Sequence, residues 1–429
     1  MLDPSTEAIE LPDRPPRWRD MLSALGVRNY RFYTVGQLFS LTAVWMQRIT
    51  QDWLLFELTG NVTAVGLLVM IQFGPILLFG LYGGLIVDRY EKRKLIMIAQ
   101  IVVIVVGAIL AVLAFTDTIS AWHIFALALV VGIVSVIDQP ARQVFVSELV
   151  GRSLLRNAVS TNSAIFQLSA LIGPAVAGIL LVTFGPGPAF AATAVGAAVG
   201  LTMLLSIRTS ELTIFPPAPR EKGQLAEAVT YVRKKPVIFW TLTMLLFVSG
   251  IGMNWSVLLA PMADRIFQSG AQGYGSYNSA IAVGALIGAL LSMRRQVVRL
   301  RTLFVGVMFM MSLKLTAGLM PYEWAFMVTI ALTGLSSVLM WTAANALVQT
   351  SSNMLIRGRV MSIYLLIAIG GQALGGPFLG SLVDLWGARA GMVISGAVPL
   401  IAAIVISVII SRTHGIKLNA LVRRPNPGE

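Results

Sequence analysis

Gly83-Gly84-Leu85-Ile86-Val87-Asp88-Arg89-Tyr90-Glu91-Lys92-Arg93-Lys94 is a short charged turn between two long apolar runs. Its first acidic residue, Asp88, is followed by four basic residues within six positions. Because ionic groups are costly in hydrocarbon, a chain embedded in lipid places such turns at the boundary with water. The stretch therefore predicts that the chain crosses a membrane on either side of it.

The composition of the whole chain also indicates a membrane protein. Of its 429 residues, 56% are hydrophobic and only 12% are charged, whereas soluble domains carry about 25% charged residues. The sequence has no Gly-Lys pair of a phosphate-binding loop, no H-E-x-x-H motif and no cysteine. We therefore expect neither an enzyme nor a cofactor nor a metal site. If the chain moves a substrate across the membrane, the energy would come from an ion gradient or from the gradient of the substrate itself.

Twelve apolar runs are long enough to span a bilayer, which takes about 20 mostly apolar residues. They fall into two groups of six, and a longer polar loop separates the groups. The predicted spans are 31–58, 63–87, 95–115, 120–137, 158–184, 188–207, 236–262, 274–293, 303–320, 322–346, 360–385 and 390–411.

These spans predict an all-α membrane protein in five parts. A proline-containing loop divides the two bundles, and its residues 224–233 are expected to form a short amphipathic helix on the membrane surface. The parts are an N-terminal segment 1–30, a six-helix bundle 31–207, a central loop 208–235, a second six-helix bundle 236–411 and a tail 412–429.

The basic residues are distributed unequally between the two faces of this arrangement. Of the 32 Lys and Arg residues, all but four lie in the terminal segments or in the loops on the same face. Arg265 and Arg389 lie on the opposite face, and Arg48 and Lys314 lie within spans. Since an excess of Lys and Arg marks the cytoplasmic side, both termini and the central loop are expected in the cytoplasm. The net charge of +13 is thus interfacial and does not indicate nucleic acid.

The two bundles look like copies of one unit. An offset of 203 residues aligns Gly173-Pro174 with Gly376-Pro377 and Arg156 with Arg359. Two six-helix units repeated in parallel are a recurring plan of secondary transporters. The sequence therefore predicts two related halves.

The spacing Gly84-x-x-x-Asp88-Arg89-x-x-Lys92-Arg93 resembles the loop signature between the second and third spans of the major facilitator superfamily. Glu91 stands where that family usually has Gly. The resemblance implies a twelve-helix fold in which Asp88, an acid that disfavours the dipole of its own helix, faces the start of the eleventh span near residues 353–359 and a nearby cation. This contact would latch the two halves together in one state. The predicted latch residues are Gly84, Asp88, Arg89, Lys92 and Arg93.

Small residues recur around a proline in the fifth and eleventh spans. Small side chains allow close approach of helices, and a similar G-P-x-x-G-G pattern occurs in the fifth span of exporters of this superfamily. Ordinary close packing explains the pattern equally well. The residues are Gly173, Pro174, Gly178, Gly376, Pro377 and Gly380.

Several short motifs resemble the bacterial subgroup of this superfamily that contains macrolide-efflux proteins and the enterobactin exporter. They are spread over the N-terminal half, and the overall resemblance covers nearly the whole chain. The R-x-x-Q-G motif of proton-antiporting drug exporters is absent, which leaves proton coupling open. The motifs are Trp45-Met46-Gln47, Glu57-Leu58-Thr59-Gly60, Asp138-Gln139-Pro140-Ala141-Arg142-Gln143, Glu148-Leu149-Val150 and Asn157-Ala158-Val159. The third of these is expected to close the fourth span.

The first span carries polar and charged residues within its apolar run. Arg48 and Asp52 are four positions apart and share one helix face, so we expect an ion pair that either faces a central cavity or only fixes helix packing. Lys314 has no acidic neighbour in sequence and is expected to extend toward the membrane surface. The resemblance places the first, fourth, seventh and tenth spans around the cavity. The candidate cavity or coupling residues are Gln47, Arg48, Gln51, Asp52, Asn254, Trp255, Ser336, Trp341 and Asn345.

These observations favour a secondary active transporter of the bacterial cytoplasmic membrane. We expect export of a hydrophobic or amphipathic small molecule of the drug or siderophore class by alternating access, with protons as a candidate coupling ion and the lipid bilayer as surroundings. One alternative is a transporter of lysophospholipids or nutrients. Another is a membrane receptor or scaffold that transports nothing.

Single cysteines introduced at Gln224 and Ser269 should react with a membrane-impermeant maleimide from opposite sides of the membrane. The chain lacks native cysteines, so the label reports only the new position. The asymmetry of basic residues places Gln224 in the cytoplasm and Ser269 outside. Labelling of both from the same side would rule out the twelve-span arrangement.

Overall fold

A computed structural model describes residues 23–213, 224–292, 300–353 and 356–413, and their regular structure is entirely helical. Most of the predicted N-terminal segment, part of the central loop and the tail after residue 413 lie outside the described residues. The predicted all-α fold is confirmed.

The helices follow the predicted order of two groups of six spans around a surface helix. Helix α7 is the predicted amphipathic helix of the central loop, and α8 and α9 belong to one span. The helices are α1 (Arg28–Thr59), α2 (Val62–Arg89), α3 (Lys92–Phe115), α4 (Ala121–Gly151), α5 (Asn157–Phe184), α6 (Pro186–Leu205), α7 (Gln224–Lys234), α8 (Pro236–Phe247), α9 (Trp255–Pro261), α10 (Gly270–Ser292), α11 (Leu300–Leu319), α12 (Glu323–Ser351), α13 (Arg357–Trp386) and α14 (Ala388–Thr413).

Helix α1 completes the set of twelve. In the described part of the chain, eleven segments are long and apolar enough to cross a membrane, and α1 is outside that set. It is nevertheless 32 residues long and packs against α5 and α6. Its polar residues Gln47, Gln51 and Asp52 are all less than 5% exposed. The polar residues of α1 therefore lie inside the bundle, away from lipid.

The fourth span is longer than predicted. The sequence analysis ended it at residue 137 and treated Asp138-Gln139-Pro140 as its close, which is wrong. Proline removes one backbone hydrogen bond, but Arg142 donates to Asp138 on the same helix at 2.8 Å and the helix continues. It ends at Gly151, whose φ of +69° breaks the helical geometry.

The seventh span is broken near its middle. After α8 the chain forms a wide helical turn over Val248–Gly252. Met253 and Asn254 then leave helical geometry, with ψ angles of 7° and 70°. Helix α9 restores the helical path from Trp255, so the predicted continuous helix 236–262 is interrupted.

Glycines set the distance between the two halves. Helix α2 packs against α13, and α5 packs against α10. A Cβ atom at Gly66 of α2 would overlap the carbonyl of Gly376 in α13. A Cβ at Gly380 would lie 2.8 Å from the carbonyl oxygen of Val62. These contacts hold the α2 and α13 backbones together without intervening side chains.

The other contact between halves is equally close. A Cβ atom at Gly178 of α5 would lie 3.2 Å from Cα of Gly275 in α10. Gly173 lies against the other face of α5, where a Cβ would meet Trp45 of α1 and the carbonyl of Thr42 at 3.0 Å. The Gly-Pro segments of α5 and α13 thus lie where backbones meet.

Gly66→Ala should destabilise the protein by about 1–3 kcal/mol, because the added methyl group has no space between α2 and α13. The matched control is Gly74→Ala in the same helix, where a Cβ atom meets nothing within 4 Å. Thermal unfolding of both variants in detergent, followed by size exclusion, measures the difference. Equal stabilities would contradict the close approach at Gly66.

Candidate functional site

A cavity of about 520 Å³ lies between the two halves. Its walls come from both halves, with α1, α2 and α5 on one side and the α8–α9 break, α10, α12 and α13 on the other. Ligand sites of drug-sized molecules have volumes of about 300–1,000 Å³. The cavity is therefore large enough for a small organic molecule.

The walls combine aromatic rings with amide groups. Apolar walls with a few placed polar groups are typical of small-molecule sites. The aromatic residues are Trp45, Phe73, Phe166, Trp255, Trp341 and Tyr364, and the amides are Gln72, Gln167, Asn254, Asn278, Asn345 and Gln372.

Five of the nine predicted cavity residues line this cavity, namely Arg48, Asn254, Trp255, Trp341 and Asn345. Gln47 and Gln51 line a small side pocket, which Arg48 also reaches. Asp52 and Ser336 are buried behind the wall. The Ser336 hydroxyl donates to the carbonyl of Leu332 in its own helix at 2.8 Å.

Arg48 lies among aromatic rings. The centre of its guanidinium group is 4.8 Å from the ring centroid of Phe73 and 5.4 Å from that of Trp45. A guanidinium group is attracted to the face of an aromatic ring at such distances. In the described structure, no carboxylate lies within salt-bridge distance of Arg48.

Asp52 is directed toward the other half of the molecule. Its Oδ2 accepts a hydrogen bond of 3.3 Å from the hydroxyl of Tyr274 in α10, and the Tyr274 ring stacks on Trp53 at 5.8 Å. Its Oδ1 has no hydrogen-bond partner in the protein. The expected ion pair between Arg48 and Asp52 is therefore wrong in this structure, because Tyr274 holds the acid and aromatic rings hold the cation.

The side pocket is polar. Three of its amide atoms, Gln47 Oε1, Gln51 Nε2 and Gln72 Oε1, are buried without a hydrogen-bond partner in the protein. The pocket has a volume of about 30 Å³, and a water molecule needs about 10–15 Å³ on this measure. A water molecule in the pocket would satisfy amides that are costly to leave unpaired.

Lys314 does not extend to the membrane surface, so that prediction is wrong. The residue is fully buried, and its Nζ donates to the carbonyl of Gly252, at the break between α8 and α9. The same nitrogen lies 3.9 Å from the ring centroid of Trp255. A broken helix leaves carbonyl groups without helical partners, and Lys314 supplies the donor that the break requires.

The halves are also joined at the predicted external face, around Asp384 at the end of α13. Its carboxylate accepts from the backbone N–H groups of Val62 and Thr63, at 3.0 and 2.8 Å, and from the Thr63 hydroxyl at 2.7 Å. Arg265, after α9, lies 4.0 Å from Asp384 and donates to the Gly60 carbonyl at 2.6 Å. An acid at a helix N-terminus satisfies free N–H groups and favours the dipole. We call these five residues the external cap.

Sequence reasoning missed the external cap. The available signal was the position of Asp384 at the end of an apolar span, which matches that of Asp88 at the end of α2. Asp384 lies four residues after Gly380 and meets the start of α2. The groups that bind Asp384 lie in the N-terminal half of the chain, so the sequence around Asp384 does not reveal them.

The predicted latch residues near Asp88 make contacts within the N-terminal half. Arg93 donates to the carbonyls of Leu204 and Leu205, at 3.1 and 3.0 Å, at the end of α6. Lys92 pairs with Glu148 of α4 at 3.6 Å. Asp88 is half-buried and Arg89 is exposed. The expected contact of Asp88 with residues 353–359 stays a prediction, since 354 and 355 lie outside the described residues.

A surface helix is joined to the start of α13. Arg359 forms an ion pair with Glu227 of α7, and the hydroxyl of Tyr231 accepts the backbone N–H of Asn353 at 3.1 Å. The central loop is thereby attached to the C-terminal half.

Two helical halves around a shared cavity define a membrane transporter of the major facilitator type. A family model described as transmembrane secretion effector, within the major facilitator superfamily, matches residues 21–427. The chain belongs to this family, and the predicted superfamily is confirmed.

Named relatives are transporters of bacteria. The chain is 24% identical to macrolide efflux protein A of Streptococcus pyogenes, over 78% of this chain and 84% of that protein. It is 29% identical to the enterobactin exporter EntS of Shigella flexneri, over 76% and 78%. It is 26% identical to the staphyloferrin A transporter of Staphylococcus aureus, where the match covers 57% of this chain and 62% of that protein, less than two thirds of its length.

A solved structure supports the fold. The structure of a bacterial homolog of the human lysosomal transporter Spinster, described as inward-facing and unoccupied, superposes with a TM-score of 0.70 at 15% identity. The match covers 92% of this chain and 97% of that chain. At this identity the similarity concerns the fold alone.

Asp384→Asn should open the predicted external face more often. The change removes the charge that caps α2, and hydrogen bonds to charged groups contribute about 1.5–3 kcal/mol each. A cysteine at Asn278, in the cavity wall, should therefore react about tenfold faster with an impermeant maleimide added outside.

The control for this experiment is Glu57→Gln, which removes an exposed carboxylate near the same face. It should leave the rate of labelling unchanged. If Asp384→Asn and Glu57→Gln gave the same rate, the external cap would not hold this face closed.

Proposed function

We propose that the protein is a secondary active exporter of small molecules that works by alternating access. The observation that carries the proposal is the cavity of about 520 Å³ between two halves that are joined by the external cap at one face. A binding site in the middle of the membrane, between two related halves, is the arrangement that alternating access requires. The relatives that are named as exporters support the direction of transport.

The two acids at opposite faces suggest how the states alternate. Asp384 at the end of α13 caps the start of α2 in the present state. In the other state, Asp88 at the end of α2 would meet the start of α13 at the predicted cytoplasmic face. In each state, the contact of one acid would be made and that of the other acid would be broken. The cavity would then open to one side of the membrane at a time. The excess of Lys and Arg in the loops on one face supports a cytoplasmic position of Asp88 and of both termini in a bacterial cell.

The cavity walls favour a substrate with apolar and polar parts. Aromatic rings of Trp45, Trp255 and Trp341 offer flat apolar surface, and Asn254 and Asn345 offer donors and acceptors. Two relatives are named for a macrolide and for enterobactin, which extends support to the drug or siderophore class.

Asp52 is the candidate coupling residue. It is fully buried in α1, one of its oxygens has no protein partner, and its other oxygen contacts Tyr274 of the opposite half. A movement of the halves changes this contact and the hydration of the carboxylate. We propose that Asp52 takes up a proton in one state and releases it in the other.

Everted membrane vesicles with an imposed pH gradient test this function. The wild-type protein should accumulate fluorescent amphipathic compounds from a panel, and a protonophore should abolish the accumulation. Asp52→Asn should lose uphill accumulation and keep downhill exchange, since the variant retains the cavity and lacks the titrating group.

Glu57→Gln serves as the control in the vesicles, because this carboxylate is exposed and outside the cavity. Unchanged uphill accumulation in Asp52→Asn would exclude Asp52 as the coupling residue. Absence of transport across a broad panel by the well-expressed wild type would favour the receptor or scaffold alternative.

A further inference from the structure

Among the described residues, Arg48 is the one Lys, Arg, Asp or Glu side chain on the walls of the central cavity. The other polar wall residues are neutral amides, hydroxyls and the phenol of Tyr364. In the described structure, Arg48 has no ion pair, and its contacts are with the rings of Trp45 and Phe73. The cavity therefore has on its wall a positive charge that no carboxylate contacts directly in the described structure.

A second buried cation lies behind the wall. Lys314 is fully buried, and its amino group lies 3.9 Å from the ring centroid of Trp255, which lines the cavity. Its hydrogen bond to Gly252 is to a neutral carbonyl, so its charge is not cancelled. Asp52 supplies one negative charge nearby and faces Tyr274. With all three groups ionised, Arg48, Lys314 and Asp52 give the surroundings of the cavity one net positive charge.

A net positive charge in a site closed to water is costly, because the low dielectric removes the solvation that the cation had. While the cavity is open to water, water can reach Arg48, which is partly exposed on the cavity wall. When the cavity closes around a substrate, that solvation is lost, and a neutral or cationic substrate leaves the charge uncompensated. An anionic group on the substrate offsets the cost.

We propose that the central cavity binds amphipathic organic anions, with the carboxylate of the substrate on the guanidinium group of Arg48. This proposal rests on the proposed transport function and names its substrate class. A guanidinium fork matches a carboxylate through two parallel hydrogen bonds. The rings of Trp45 and Phe73 hold the guanidinium plane and offer apolar surface to the rest of the substrate.

The negative charge of Asp52 then weakens the attraction between Arg48 and an anionic substrate, because Asp52 lies one helical turn from Arg48. The two side chains share one face of α1, and Tyr274 keeps the carboxylate of Asp52 directed toward α10. Removing the charge of Asp52 makes the surroundings of the cavity more positive, and removing the charge of Arg48 takes away their net positive charge. A merely structural role of both residues does not predict opposite effects on the binding of an anion.

Binding of three matched compounds to the purified protein in lipid nanodiscs tests the proposal. The compounds are 1-naphthylacetate, its neutral amide and 1-naphthylmethylammonium, which share one aromatic body and differ in charge. Isothermal titration calorimetry should show the anion binding at least about tenfold more tightly than the amide, with the cation weakest. Measurement at low and high salt separates this preference from the screened charge of the membrane surface.

Arg48→Gln should abolish the preference for the anion while the amide binds as before. Arg48→Lys should keep part of the preference, because it retains the charge without the planar fork. Asp52→Asn should strengthen binding of the anion severalfold. The affinity of Asp52→Asn for the anion can be measured even if Arg48→Gln does not fold. Glu57→Gln is the control and should leave all three affinities unchanged.

Equal binding of the three compounds, tighter binding of the cation, or an anion preference that survives in Arg48→Gln would overturn the proposal. Weaker anion binding in Asp52→Asn would do the same. These outcomes are separate from the transport assay. Export of neutral compounds together with no anion preference would retain the exporter and reject the substrate class, whereas anion binding without export would retain the site and reject the exporter.

Discussion

The close contact of α2 with α13 is the interaction on which the arrangement of the two halves depends. Gly66 and Gly376 allow the backbones to touch, and Gly380 brings the start of α2 within reach of Asp384. Only this approach lets one carboxylate accept from two N–H groups of a helix in the other half. Helices α2 and α13 also line the cavity, so the packing of their small residues affects the shape of the candidate site.

The buried charges are compensated in three different ways, and each way has a structural consequence. Lys314 donates to a carbonyl that the break between α8 and α9 leaves free, which fixes the irregular backbone at the cavity wall. Asp52 accepts from Tyr274 and links α1 to α10. Arg48 contacts aromatic rings and lines the cavity. Of these three ionisable residues, Arg48 is the one that lines the cavity.

Much of the candidate site was predictable because intramembrane charge is rare. Arg48 was found as an ion within an apolar span, and the cavity walls at Trp255 and Trp341 followed from the resemblance to a known family. The details failed where an interaction joins distant parts of the chain. The partner of Asp52 is 222 positions away and that of Lys314 is 62 positions away. The spacing along α1 predicted Arg48 as the partner of Asp52. The lack of an acidic neighbour in sequence predicted that Lys314 extends to the membrane surface.

The sequence by itself determined the spans, their grouping into two related halves, and the superfamily, because hydrocarbon requires long apolar helices and confines most charges to loops. It also marked the small residues that allow helices to touch. Only the tertiary structure decided which carboxylate caps which helix, that the seventh span breaks at Met253 and Asn254, and that Asp52 contacts Tyr274 while Arg48 contacts aromatic rings. These features depend on contacts between helices that are far apart in sequence. A charged residue can accept a hydrogen bond from the other half of the chain, and the sequence around that residue does not show this partner.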